Sequence, residues 1–136
     1  YLISASASLN QPLRTEIHLG MNARLSVFQD FQSETLLPLS VYAYTHIICE
    51  EGSELQFTKL QQEGLEVTHL SENLIEQAAK SQVQTFTIAL GAKQHRESWQ
   101  VNLMGAAGRC QCRGLSIANN AQQLDSALTM NHQAKA

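Results

Sequence analysis

Cys110 and Cys112 form a Cys-x-Cys pair, the arrangement in this sequence with the clearest potential for metal chemistry. Residues two apart on a β-strand point to the same face. Two thiolates on one face could bind a soft metal ion or cluster iron, with His132 as a further candidate ligand. Free cysteine also packs well as a small apolar side chain. We favour core packing for the pair and keep metal binding as the alternative.

An alternating pattern around the cysteines supports the core interpretation. Counted from the nearest glycines, Cys110 aligns with Leu25 and Phe57, and Cys112 aligns with Val27. These partners are apolar, so the positions are expected to face inward. Cys49 ends an apolar run and is interpreted in the same way.

The histidines are separated by distances close to a repeat length, which would suit a stacked ladder. Their offsets from the nearest glycine differ, so no common column is established and we interpret them as scattered surface or loop residues. The five are His18, His46, His69, His95 and His132. Asp125 and His132 would point to opposite faces of an extended strand. We therefore expect Asp125 to serve a turn or contact a neighbouring coil.

Signatures of the common enzyme classes are missing from the sequence. It has no phosphate-binding Gly-x-x-x-x-Gly-Lys-Ser/Thr loop, no Gly-x-Ser-x-Gly and no His-Glu-x-x-His. Polysaccharide-active enzymes use clustered carboxylates, often around Ca²⁺. The only aspartates here, Asp30 and Asp125, are far apart in sequence. We predict no catalytic residues and keep a polysaccharide-active enzyme as an alternative.

Composition excludes further classes of function. The 136 residues fit one domain, and the formal net charge of −3 comes without a basic tract. Nucleic-acid binding is therefore not expected, because it depends on clustered Lys and Arg. The longest uncharged stretch, which contains 36–49, is too short to cross a bilayer, so we expect no membrane segment. The odd number of cysteines, three, indicates a reducing compartment and hence a cytoplasmic protein.

A weak internal repeat organises the chain. Gly, a short spacer and an alternating apolar–polar run recur at 20–27, 52–58 and 105–112, and a degenerate copy with Lys80 in place of Gly lies at 80–87. An alternating run precedes most copies, so the unit is predicted as strand, tight turn, strand. Glycine at the turn permits positive φ.

Such a unit fits either an antiparallel meander or a solenoid of stacked coils. We favour the solenoid, with 61–71 and 118–124 as protruding loops. Residues 74–83 are rich in helix formers and would be assigned to a short helix if taken alone. Because they follow the repeat, we predict strand, turn, strand.

The order of motifs in 86–136 resembles the core of the SufB/SufD family, iron–sulfur cluster assembly proteins of the SUF system. The resemblance is carried by 88–96, 101–105, 112–115 and 122–132, and the earlier glycine copies extend it over nearly the whole chain. With only three cysteines, the chain looks more like SufD than SufB. It departs from the family at Ala92, where glycine is common.

The resemblance implies an all-β fold, a right-handed parallel β-helix, with 1–136 as a single core domain. It implies that the chain is a fragment, without the family's flanking helical regions. The implied role is a scaffold subunit that pairs with a SufB-like partner and a SufC-like ATPase. The iron–sulfur cluster is implied for the complex, and no cofactor is expected on this chain's own residues. Exposed end coils also predict that the isolated chain self-associates.

Overall fold

The computed structural model describes residues 11–33 and 38–133, which form nine β-strands and no helix. The strands are β1 Gln11–Leu19, β2 Arg24–Phe31, β3 Leu39–Cys49, β4 Glu54–Gln61, β5 Val67–Gln77, β6 Gln82–Ala89, β7 Gln94–Leu103, β8 Arg109–Ser116 and β9 Gln123–His132. None of the described residues belongs to a helix that could span a membrane.

The strands alternate between two parallel sheets. Odd-numbered strands form one sheet in the order β1-β3-β5-β7-β9, and even-numbered strands form the other in the order β2-β4-β6-β8. Each coil takes about 26 to 30 residues, and in every pair the neighbouring strands run parallel. The prediction of an all-β parallel β-helix is confirmed.

Side chains alternate between the interior of the coil and solvent, as the sequence pattern indicates. In β5 every second residue is buried. Ile47, Ile75 and Val101 occupy matching positions on successive coils and are fully buried. Phe57 from the opposite sheet packs edge-on against Trp99, with ring centroids 5.9 Å apart. The core is thus a column of apolar residues between the two sheets.

Residues 74–83 form the predicted strand, turn and strand. They comprise the end of β5, a turn over 78–81 and the start of β6. Their helix propensity is overridden because β5 is hydrogen-bonded between β3 and β7, and strand pairing of this kind outweighs weak local preference.

Two local predictions were wrong. The segment 61–71 is a loop only over 62–66, since β4 ends at Gln61 and β5 begins at Val67. Phe57 shares a column with Cys112 and not with Cys110. The error arose because the copies were aligned on Gly20 and Gly52. In the strand register Gly52 matches Asn22, which lies two residues after Gly20.

The second predicted loop, 118–124, is shorter at its end because β9 begins at Gln123.

Each turn that leads from an odd-numbered strand to the next even-numbered strand uses positive φ at one position. The residues are Asn22 (φ 59°), Gly52 (70°), Lys80 (59°) and Ala107 (59°). Positive φ, which we predicted for the turn glycines, is therefore found at Gly52 but not at Gly20 or Gly105. Gly105 is required for space instead, because a Cβ there would lie 2.1 Å from the backbone nitrogen of Ala79 on the preceding coil.

Ala92, which replaces the glycine common in the family, also has positive φ, at 63°. It is fully buried and packs with Val41 and Val67. A glycine would adopt this backbone more readily, but the alanine methyl group contributes to the core.

Candidate functional site

A network of polar and charged side chains lies inside the coil, between the two sheets. Lys59 of β4 is fully buried, and its Nζ donates hydrogen bonds to Ser71 Oγ at 2.8 Å, Asn73 Oδ1 at 2.9 Å and Glu97 Oε1 at 2.9 Å. Ser71 and Asn73 belong to β5 and Glu97 to β7, so one ammonium group links both sheets across three strands. The alternation that buries Phe57 and Trp99 also turns Lys59 and Glu97 inward.

The ammonium group of Lys59 has no donor left for a ligand. An ammonium group has three N–H donors, and all three are used. Burial lowers the pKa of Lys59, and the attraction of Glu97 opposes that shift. The aromatic rings of Phe31 and Trp99 lie 5.8 Å and 5.5 Å from Nζ. The arrangement is a buried ion pair whose three N–H donors are all used within the protein.

A second buried cluster surrounds two histidines. His69 Nδ1 lies 2.7 Å from Glu63 Oε2, and Gln61 Nε2 donates to the same oxygen at 2.8 Å. His69 and His95 occupy matching positions on β5 and β7, with ring centroids 5.3 Å apart. The Nε2 atoms of both rings are buried without a hydrogen-bond partner. The cluster therefore holds two imidazoles close together and away from solvent.

His95 is held neutral by its surroundings. Burial lowers its pKa to about 4, and the neighbouring His69 and Lys59 add to the shift while Glu97 and Glu63 oppose it. The interpretation of the histidines as surface or loop residues was wrong for His69 and His95. Their phase in the alternating pattern, shared with Trp99 and Val67, is the signal that could have found them.

The remaining histidines are outside this cluster. His18 is exposed and lies 2.9 Å from Glu50, while His46 lies 2.7 Å from Glu76 on the next coil. His132 is exposed on β9. Asp125 approaches Arg96 at 3.4 Å, which confirms the expected contact with a neighbouring coil.

The cysteines face the interior, as the core interpretation predicted. Cys110 and Cys112 lie beside Val83 and Thr85 of β6, and both pack against the apolar core. They are half-buried, and their Sγ atoms are 3.7 Å apart. Cys49 is fully buried in the same core.

A hydrogen bond between the paired thiols shifts their pKa values in opposite directions. The hydrogen bond from Cys110 lowers the pKa of Cys112 to about 6, and Thr85 contributes in the same direction. The same hydrogen bond, together with burial, raises the pKa of Cys110. The two thiols are therefore coupled, and Cys112, whose pKa is lowered, is the more readily ionised of the two.

Candidate ligands do not gather into a larger metal centre within residues 11–33 and 38–133. No three His, Cys, Asp or Glu side chains there are placed to hold one metal ion. His132 therefore does not join the cysteine pair in such a group. The aspartates also remain apart, with Asp30 on β2 beside Gln62 and Asp125 on β9.

Comparison with known proteins identifies the family. The family model described as "SUF system FeS cluster assembly, SufBD core domain" matches residues 1–136. A search of curated proteins and a search of solved structures each gave no match. The full-length family match agrees with the stacked parallel strands and with the motif order in 86–136. The chain belongs to the SufB/SufD core-domain family of the SUF iron–sulfur cluster assembly system.

Proposed function

We propose that this chain is a SufD-like scaffold subunit that pairs with a SufB-like subunit and works with a SufC-like ATPase in iron–sulfur cluster assembly. The observation that carries the proposal is the family match over the whole chain. The choice of SufD rests on the small number of cysteines, three in 136 residues.

The structure of the coil supports a scaffold more than a catalyst. The buried Lys59 is fully hydrogen-bonded, and the carboxylate of Glu97 that faces it is buried as well. A catalytic group needs access to substrate, and neither of these charges has it. The chain is accordingly proposed to be a non-enzyme of the cytoplasm, with the iron–sulfur cluster formed in the complex and not on residues of this chain.

Strand edges offer a surface for the partner. Within the described residues, β8 and β9 are each hydrogen-bonded to a neighbouring strand on one side only. On β9, Leu128 and Met130 continue the apolar columns of Trp99 and Val101 and are 50% and 37% exposed. Unpaired edges with apolar side chains favour the addition of further strands. In the 136-residue chain this edge is the proposed docking region.

Co-expression tests the proposal directly. The 136-residue chain is expressed with tagged SufB-like and SufC-like proteins and recovered by affinity and size-exclusion chromatography. Co-elution of all three is expected. The Leu128→Lys variant should reduce recovery at least tenfold, whereas Thr129→Lys, which changes the outward-facing neighbour, should not. Failure of the wild-type chain to co-elute with either protein would refute the assignment.

The same edge predicts self-association of the chain by itself. Light scattering coupled to size exclusion should show a dimer or larger species at high protein concentration, reduced by Leu128→Lys. A monomer at all concentrations would contradict this expectation.

A polysaccharide-active enzyme remains the alternative from another class. No specific observation favours it, since Asp30 and Asp125 lie on different sheets and the inward-facing Glu63 and Glu97 are bonded inside the coil. Release of reducing sugar ends from polysaccharide would support it.

A further inference from the structure

The two sulfur atoms at the end of the coil are spaced as adjacent ligands of one metal ion. In tetrahedral zinc sites the Zn–S distance is about 2.3 Å, which places two sulfurs on adjacent corners about 3.8 Å apart. The Sγ atoms of Cys110 and Cys112 are 3.7 Å apart before any metal is bound. Binding would therefore require almost no movement of β8.

We propose that Cys110 and Cys112 form a two-thiolate half-site for a single thiophilic divalent cation of the Zn²⁺ type. The protein supplies two ligands, and water or an external thiol fills the other two positions. The site is independent of the scaffold role, since it depends on β8 alone.

The surroundings of the pair suit this chemistry. Both cysteines are half-buried, and they pair in strand register with Val83 and Thr85 of β6. Thiolates are soft ligands that select Zn²⁺ over the hard cations Mg²⁺ and Ca²⁺. Cysteine binds metal as its thiolate, so a thiol of the pair that is still protonated releases its proton on binding.

The number of ligands sets the strength of the site. Closed structural zinc sites use four protein ligands. Among the described residues no third His, Cys, Asp or Glu joins the pair. The half-site is therefore expected to bind one cation per chain reversibly and to yield it to strong chelators.

Metal titration tests the proposal on the 136-residue chain, reduced with a phosphine and free of external thiols. Zn²⁺ is titrated against a chromophoric chelator, and Co²⁺ is used to detect thiolate-to-metal charge transfer. One Zn²⁺ per chain and a charge-transfer band are expected. Cys110→Ser and Cys112→Ser should each weaken binding at least tenfold, whereas Cys49→Ala, a buried thiol outside the pair, should leave it unchanged.

A variant that keeps the core filled separates metal binding from folding. Cys110→Leu with Cys112→Val reproduces the apolar residues found at these columns in β2, Leu25 and Val27, so the fold should persist by circular dichroism. Loss of Zn²⁺ binding in this folded variant supports the site. Equal Zn²⁺ binding by wild type and variant, or no binding by the wild type, overturns it.

Iron distinguishes the half-site from a cluster site. Anaerobic reconstitution with iron and sulfide is compared in the wild type and in the Cys110→Ser/Cys112→Ser variant. Uptake of a cluster by the wild type without any binding of Zn²⁺ would overturn the proposal in favour of a cluster ligand role. Equal iron retention in both proteins, with Zn²⁺ bound only by the wild type, supports it.

Discussion

Protonation of His95 should make the stability of this protein sensitive to mild acid. The ring is 3% exposed, and its pKa is lowered from 6.5 to about 4, chiefly by burial and then by His69. Between pH 6.5 and pH 4 the unfolded chain therefore binds a proton that the folded chain excludes. The stabilising contribution is fully present above pH 6.5 and is lost as the pH falls toward 4.

The size of the effect follows from the two pKa values. Lowering the pH from 7 to 5 shifts the protonation equilibrium of the unfolded imidazole while the folded one stays mostly neutral, and the free energy of unfolding falls by about 2 kcal/mol. This is a large part of the total stability of an ordinary domain, about 5–15 kcal/mol.

Urea denaturation at pH 7 and pH 5 measures this difference. The variant His95→Leu should lose about 2 kcal/mol of the pH dependence, because leucine does not titrate and Leu124 already occupies the same column on β9. His18→Gln, which removes an exposed histidine, is the control for the loss of an imidazole elsewhere in the chain. Equal pH dependence in wild type and His95→Leu would refute the reasoning.

Two further substitutions test the interior and the close packing of the coils. Lys59→Met should lower the free energy of unfolding by about 3–5 kcal/mol, because Glu97 is then buried without its cation. Combining Lys59→Met with Glu97→Leu should recover part of this loss. No recovery in the double variant would contradict the buried ion-pair explanation. Gly105→Ala should cost about 1–3 kcal/mol, since its Cβ would lie 2.1 Å from a backbone atom of Ala79. Gly108→Ala, whose Cβ would meet nothing nearer than 3.6 Å, is the control. Equal destabilisation by Gly105→Ala and Gly108→Ala would exclude the steric explanation. Chemical denaturation measures the free energy of unfolding of all four variants.

Much of the architecture was predictable because it follows from local patterns of apolar and polar residues in the sequence. Alternation of apolar and polar residues defines each strand, and its recurrence at about the length of one coil indicates stacking. Cys110 and Cys112 were placed on an inward face by this alternation alone, and the structure confirms that placement. The family resemblance, carried by the order of motifs in 86–136, was confirmed by the family match.

Exact register could not be read from glycines. The positive-φ position of the turn is filled by Asn22, Gly52, Lys80 and Ala107 in successive coils, so glycine marks it only once. A two-residue error in aligning Gly20 with Gly52 keeps the inward and outward faces correct, because the side-chain period of a strand is two. It nevertheless assigned Phe57 to the wrong column.

The amino-acid sequence alone determined that each strand buries one apolar face, because alternation of apolar and polar residues places the apolar side chains on the same side of the strand. Only the tertiary structure decided which polar residues meet inside the coil. Lys59 and Glu97 are 38 residues apart, and they contact each other because about one and a half turns of the solenoid bring them to facing sheets. Their pairing depends on this winding of the chain, because a buried charge is tolerated only where a partner comes within hydrogen-bond distance.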